Sequence, residues 1–351
     1  MRRLGPLSAG VAVLLLALAA GSAPAGPARS ASVSWASGYR VPDATLGREG
    51  QRRLRTEAWQ GGTFTASTGE QVRVLVSDEL ADPSTIGQTW ANFFASLLHG
   101  SELGVLTAYV VAPDQLASMC GPNALGCYGS NQLVITDETL YGVTPQEVGM
   151  HEYGHHVASN RLNPPWSAVD WGPKRWASVA NVCLRTQQGS AYPGDEDQHY
   201  TQNPGEAWAE VYRVVNQLRQ GATTVDWPIV DGSFYPDATA LQAAAEDVTN
   251  PWTAPVSQSY GGRFVRGGAK VWKLSVPTAL DGSLAATLSL PPASFDELTV
   301  LTTNGQVLAK GLWSGVSTKQ IAMTVCGQRQ LVFRVVEKGA FGRFRLRVTH
   351  D

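Results

Sequence analysis

The stretch His151-Glu152-Tyr153-Gly154-His155 decides how the first part of this chain folds. It follows Thr144-Pro145-Gln146-Glu147, which has the form of a capping box with proline at the first helical position and predicts a helix from Pro145 to Asn160. Residues four apart lie on one face of a helix, so the two imidazoles point to the same place. The motif therefore predicts that His151 and His155 share a metal ion.

Other residues of the predicted helix have less direct roles. Glu152 lies one position round from His151, where it can reach a water on the metal without being a ligand. Gly149 and Gly154 each cost about 1 kcal/mol relative to alanine, which indicates close approach by a sheet or by the metal site. His156 is about 100 degrees away around the helix and is interpreted as a packed or surface histidine.

A catalytic zinc ion needs three protein ligands and one open position. A third histidine six residues past His155 is absent, because Arg161 stands there. The remaining candidate lies in the segment NPGEAWAE, residues 203–210, where Asn203 caps a predicted helix. Its two carboxylates, Glu206 and Glu210, fall on one face, and we predict Glu206 as the third ligand.

The alternative for this pair of carboxylates is a solvated helix face. Arg213 and Gln217 follow on the same helix and can accompany the acidic residues there. Two like charges four residues apart repel by a few tenths of a kcal/mol unless a cation or a partner lies between them. A metal ion shared with the histidines would supply that cation.

With both motifs in view, the chain resembles the gluzincin group of zinc metallopeptidases. HEYGH is similar to the HExxH helix of that group, and GEAWAE is similar to its second motif. The resemblance implies that His151, His155 and Glu206 bind zinc and that Glu152 is the general base. It also implies that Glu210, which stands where the commoner pattern has Asp, holds a ligand imidazole.

The resemblance implies hydrolysis of peptide bonds. Zinc lowers the pKa of its bound water towards 7 and polarises the carbonyl, while Glu152 takes the proton. A donor to the developing oxyanion is expected among His199, Tyr200 and Tyr235, and Tyr200 is the candidate catalytic residue. The predicted strand Gln132–Thr136 is expected at the edge of a sheet, where an extended peptide can add as a further strand.

The pattern along the chain predicts two folded parts. Residues 61–252 combine alternating runs with later helical spacing, which favours an α+β zincin-like metallopeptidase domain. Residues 253–351 contain short alternating runs separated by turn residues, which predicts an all-β sandwich domain. Its last strand, GRFRLRVT, resembles that of the pre-peptidase C-terminal domains of secreted proteases. Residues 26–60 are either a leader, with a pro-segment as one option, or a peripheral helix.

The first 25 residues have the features of a secretory signal peptide. Arg2 and Arg3 precede the apolar run VAVLLLALAA at 11–20, and Ala23-Pro24-Ala25 forms a cleavage site. A membrane anchor needs about 20 apolar residues, and this run is shorter. We therefore expect a secreted, extracellular protein without a membrane anchor, cleaved near Ala25.

Composition and charge limit the kinds of partner that we expect for this protein. The chain has 351 residues, 43% of them apolar, which excludes a disordered or collagen-like protein. Its 27 Lys and Arg balance 29 Asp and Glu, so nucleic acid is not expected as a partner. Oligomeric state is not predicted.

Four cysteines suit an exported protein. Cys120 and Cys127 bracket a turn-rich segment that lets their sulfurs meet, and Cys183 and Cys326 would then pair by elimination. Four cysteines nevertheless allow three connectivities.

The sequence as a whole predicts a secreted zinc metalloendopeptidase that acts on proteins or peptides. Two other hypotheses use the same metal. One is a secreted zinc-binding protein without catalysis, and the other is a zinc amidase that acts on cell wall.

Overall fold

The computed structural model describes residues 28–29, 45–339 and 341–351. The predicted signal peptide and residues 26–27 and 30–44 of the predicted leader lie outside these described residues. In the part of the chain that is described, no helix has the length and apolar character needed to span a membrane.

Nine α-helices occur in the described ranges. They are α1 Arg48–Thr56, α2 Pro83–Ser96, α3 Pro113–Cys120, α4 Pro145–Ser159, α5 Ala168–Trp171, α6 Lys174–Val179, α7 Val182–Gln187, α8 Pro204–Arg219 and α9 Ala238–Thr249. The strands before α9 are β1 Ala28–Arg29, β2 Trp59–Thr65, β3 Gln71–Ser77, β4 Thr107–Val111, β5 Gly126–Gly129, β6 Gln132–Thr136 and β7 Thr224–Val225. Those after it are β8 Val256–Phe264, β9 Val271–Pro277, β10 Gly282–Ser289, β11 Glu297–Leu301, β12 Val307–Lys310, β13 Leu312–Trp313, β14 Thr318–Val325, β15 Gln330–Val336 and β16 Gly342–His350.

The chain is mixed α/β with several sheets. The first large sheet has the order β2-β3-β4-β6-β5, with β3, β4 and β6 parallel and the two outer strands antiparallel to their neighbours. The prediction of Gln132–Thr136 as an edge strand is wrong, because β6 lies between β4 and β5. The edge is β5, whose four residues begin and end with glycine and show no alternating pattern.

Helices α2, α4 and α8 share one hydrophobic core with this sheet. The rings of Phe94, Tyr153 and Tyr212 stack in a row, with centroids 5.8 and 5.7 Å apart. One ring comes from each helix, so α4 is held between α2 and α8 by aromatic packing. Helix α4 therefore has a buried, fixed position.

Gly154 allows α4 and α8 to approach closely. A Cβ atom at Gly154 would lie 2.8 Å from the Cα of Ala209, and Trp208 Nε1 donates a hydrogen bond to the Gly154 carbonyl at 2.8 Å. At Gly149 a Cβ would meet the Trp90 ring, also at 2.8 Å. The sequence-based explanation of these glycines, close approach of a sheet or of the metal site, is wrong. Neighbouring helices approach them instead.

Residues 253–351 form two antiparallel sheets, of order β13-β14-β10-β16-β8 and β12-β11-β15-β9. Alternate residues of both sheets enter a single core, which includes Leu288, Val300, Phe333 and Leu346. This is the layered arrangement of a β-sandwich. The first strand, Val256–Phe264, begins with exposed serine and glutamine residues and has no apolar alternation there.

Of the three connectivities that the sequence left open, the structure has the pairing of neighbouring cysteines in the chain. Cys120 pairs with Cys127 and Cys183 with Cys326, with Cα atoms 5.6 and 5.2 Å apart. The second bridge joins α7 to the loop after β14. Near it, the fully buried Lys174 Nζ lies 2.9 Å from Asp351 Oδ2, so an ion pair also joins the two parts of the chain.

The segment before the first large sheet is helical in part. Helix α1 begins at Arg48 and ends at Thr56, inside the segment 26–60 for which a peripheral helix was one of the two expectations. Leu46 and Leu54 are buried against Leu116 of α3, which attaches this segment to the sheet. From residue 45 onwards the predicted leader is therefore packed on the fold.

Candidate metal centre

Helices α4 and α8 bring three donor atoms together. The Nε2 atoms of His151 and His155 are 3.2 Å apart, and Glu206 Oε2 lies 3.3 Å from the first and 3.6 Å from the second. All three residues are buried, with 4, 5 and 2% of their surface exposed. We call this group of three side chains the donor cluster, and it can hold a metal ion.

The separations test whether a zinc ion fits. Zinc bonds of 2.0–2.1 Å in a tetrahedron place neighbouring donor atoms about 3.3 Å apart. The three observed distances lie close to that value. Two imidazoles and one carboxylate leave a fourth tetrahedral position open, as in catalytic zinc sites.

Glu210 and Arg213 orient the first histidine. His151 Nδ1 lies 3.0 Å from Glu210 Oε1, and Arg213 donates hydrogen bonds to both Glu210 oxygens, at 2.9 and 2.7 Å. Complete burial would raise the pKa of Glu210, but the charge and hydrogen bonds of Arg213, with that of His151, lower it to about 2. An ionised Glu210 accepts a hydrogen bond from the Nδ1–H of His151, which leaves the Nε2 lone pair directed at the donor cluster.

Glu152 lies beside a cavity of about 90 Å³ that adjoins the cluster. His151 and Tyr200 line the same cavity, together with apolar side chains such as Val148 and Ile229. A Cβ atom at Gly126 would lie 2.5 Å from Glu152 Oε1, so the backbone of β5 runs directly past the carboxylate. Only glycine leaves room for this approach.

The three expected oxyanion donors have different positions. Tyr200 is buried and donates a hydrogen bond to Glu206 Oε2 at 2.9 Å. His199 Nδ1 lies 2.7 Å from Asp195 Oδ2, and its ring stacks on Tyr192. Tyr235 packs against Trp227. Tyr200 is thus in direct contact with the donor cluster.

The sequence left two options for His156, a packed or a surface position. The structure shows that it is packed. It is fully buried, with Nδ1 3.2 Å from the Tyr128 hydroxyl and Nε2 2.9 Å from the Glu102 carbonyl. Burial lowers the pKa of His156. A neutral His156 therefore belongs to the core and not to the donor cluster.

Two residues of the centre have no role in the sequence-based prediction. Arg213 was assigned only to the solvated alternative, yet 4% of its surface is exposed and it holds Glu210. The spacing of three residues between Glu210 and Arg213 is a signal that could have indicated the pair. Gly126 gave no such signal, because its closeness to Glu152 arises from sheet pairing.

Comparison with known proteins gives weak likenesses. No family model matches the chain, and no curated protein is significantly similar to it. The pre-peptidase C-terminal domain of a collagenase from Bacillus anthracis matches 26% of this chain and 89% of its own, at 12% identity and a TM-score of 0.23. A family GH115 4-O-methyl-alpha-glucuronidase with specificity for decorated arabinogalactans matches 59% of this chain and 38% of its own, at 8% identity and a TM-score of 0.20.

Proposed function

We propose that this chain is a secreted zinc metalloendopeptidase of the gluzincin type. The observation that carries the proposal is the convergence of His151, His155 and Glu206 at tetrahedral separations, beside Glu152 and an open cavity. In this proposal residues 61–252 form the zincin-like catalytic domain and residues 253–351 a pre-peptidase C-terminal-like sandwich. Residues 1–25 are the signal peptide.

Each side chain of the proposed site has a separate chemical role. Bound zinc supplies Lewis acidity that polarises a carbonyl and lowers the pKa of water. Glu152, at the cavity, takes the proton from the attacking water and delivers it to the leaving amine. Glu210 and Arg213 hold the His151 ring, and the Tyr200 hydroxyl holds the Glu206 carboxylate.

Strand β5 is the proposed guide for the substrate. It pairs with β6 along one side, and in the described sheet no strand pairs with its other side. The Leu46 N–H already bonds to the Tyr128 carbonyl at 3.0 Å, so an extended peptide would add alongside Gly126 and Cys127, close to Glu152 because Gly126 passes its carboxylate. The role that the sequence assigned to Gln132–Thr136 is therefore proposed for Gly126–Gly129.

Metal removal tests the proposal. We expect the purified protein to contain about one zinc per chain and to hydrolyse casein. Phenanthroline should abolish hydrolysis, its non-chelating isomer should not, and added zinc should restore it. Hydrolysis of purified cell wall but not of casein would favour the amidase hypothesis. Bound zinc with no hydrolysis of either substrate would favour a binding protein.

Replacing Tyr200 by phenylalanine tests how its hydroxyl acts. Because the hydroxyl bonds to the ligand oxygen of Glu206, we expect zinc affinity to fall about 10-fold, with kcat close to that of the wild type once zinc is saturating. Zinc titration and kcat should be measured on the same protein. A kcat that stays 10-fold lower at saturating zinc would instead support the predicted oxyanion donor.

A further inference from the structure

The near-neutral charge of the chain conceals two oppositely charged parts. Residues 45–252 contain 11 Lys and Arg against 23 Asp and Glu, a net charge of −12. Residues 253–351 contain 12 Lys and Arg against 5 Asp and Glu, a net charge of +7. A prediction about charged partners from the total of −2 therefore does not apply to the sandwich.

Much of this positive charge lies on one face of the sandwich. Along β16, Arg343, Arg345 and Arg347 are exposed and alternate with buried Phe344 and Leu346. Successive outward residues of a strand are roughly 6.7 Å apart, so the three arginine side chains leave β16 in a regular row. Exposed Arg263 of β8 pairs in register with Arg343 and widens the row at one end.

The surface around the arginine row carries hydroxyl groups. Strand β16 lies between β10 and β8, whose outward residues next to the row include Ser257, Ser259, Thr287 and Ser289. Among the described residues of β8, β10, β14 and β16, no outward-facing side chain is Asp or Glu. The Arg347 Nε–H donates to Ser257 Oγ at 2.9 Å, which aligns one guanidinium along the face.

We propose that this face binds a linear acidic polysaccharide. Guanidinium groups bind carboxylate and sulfate groups with two parallel hydrogen bonds, and a row of them suits a polymer with repeating charges. The neighbouring serine and threonine hydroxyls can bond to the sugar hydroxyls. The acidic part of the chain repels the same polymer, so binding is confined to the sandwich.

The same face is poorly suited to other polyanions. Single-stranded nucleic acid binds through aromatic side chains that stack on its bases, and the outward residues of these four strands include no aromatic ring in the described structure. A membrane surface is held by basic residues together with apolar side chains that insert. The exposed apolar side chains of this sheet lie at its margins, Leu312 on the edge strand β13 and Val265 and Phe341 beyond the ends of β8 and β16, and not among the arginines of β16. Hydroxyls beside guanidinium groups favour a carbohydrate.

Binding of the full-length protein to heparin, a linear polysaccharide with carboxylate and sulfate groups, tests the inference. The variant carries Arg343→Gln, Arg345→Gln and Arg347→Gln, and the control carries Lys270→Gln, Lys273→Gln and Lys310→Gln. The control removes the same charge from exposed positions on or beside the opposite sheet. We expect the arginine variant to bind at least 10-fold more weakly and with a smaller salt dependence, and the control to change less than 3-fold.

Some results would overturn the inference. An equal loss of heparin affinity in both variants would mean that net charge alone attracts heparin. No loss of affinity in either variant would show that this face does not bind heparin. Single-stranded DNA or anionic phospholipid vesicles that bind as tightly as heparin would assign the face to another class of partner. Unchanged thermal unfolding temperatures verify that both variants are folded. Because the assay runs with chelator present, its result is independent of the proposed hydrolysis.

Discussion

Replacing Glu152 by glutamine should lower kcat for casein by about 1,000-fold while leaving the zinc content at the wild-type level. A positioned general base contributes a factor of about 100 to 10,000, and glutamine cannot take the proton. Glutamine has the shape of glutamate, so it fits beside the backbone of Gly126 without moving β5. The kcat and the zinc content should be measured on the same preparation, by kinetics and by elemental analysis.

Glu138→Gln is the matched control. Glu138 is exposed in the loop before α4, so the substitution removes the same charge without reaching the cavity. We expect its kcat to match that of the wild type. A Glu152→Gln protein that still hydrolyses casein within a factor of ten of the wild type would contradict the role of Glu152. Loss of zinc from the Glu152→Gln protein would show that Glu152 is a metal ligand and not a general base.

Replacing Glu206 by alanine should remove nearly all bound zinc after dialysis. Its Oε2 is one of three protein donors, and two histidines on one helix turn hold zinc far more weakly than three ligands. The Tyr200 hydroxyl would also lose its acceptor. Elemental analysis gives the zinc content, and hydrolysis should fall in proportion to it.

The control for Glu206 is a change at Glu210, which the proposal places beside a ligand and not on the metal. Alanine at 210 would leave the buried Arg213 charge without its carboxylate, which costs about 3–5 kcal/mol of stability. Glu210→Gln keeps the side-chain volume and one acceptor oxygen but also removes the counter-charge of Arg213, so the thermal unfolding temperature is measured together with the zinc affinity. We expect zinc affinity to fall about 10- to 100-fold, less than for Glu206→Ala. Equal zinc loss in both variants would overturn the assignment of the third ligand.

Local signals predicted the elements that carry the metal centre. The capping box at Thr144 and Pro145 places the start of α4, and Asn203 with Pro204 places that of α8. Both signals work because the first turn of a helix has backbone N–H groups that only nearby residues can satisfy. Helix geometry then puts His151 and His155 on one face.

Elements without a local signal were missed or misplaced. Strand β5 is four residues long and exists because its backbone pairs with β6, so nothing in its own residues indicates a strand. The charge on the sandwich was overlooked because the opposite charges of the two parts cancel in the total. The row of arginines becomes visible only once β16 is known to alternate between core and surface.

The sequence by itself determined which residues can bind a metal, since two imidazoles four residues apart on a capped helix depend only on local backbone geometry. The tertiary structure decided that Glu206 reaches them. That contact requires α8 to lie against α4, which the missing side chain of Gly154 and the stacked Tyr153 and Tyr212 permit. It also decided that Arg213 is buried with Glu210 and that β5 forms the edge beside Glu152. These contacts join residues far apart in the chain, and packing between elements sets their distances.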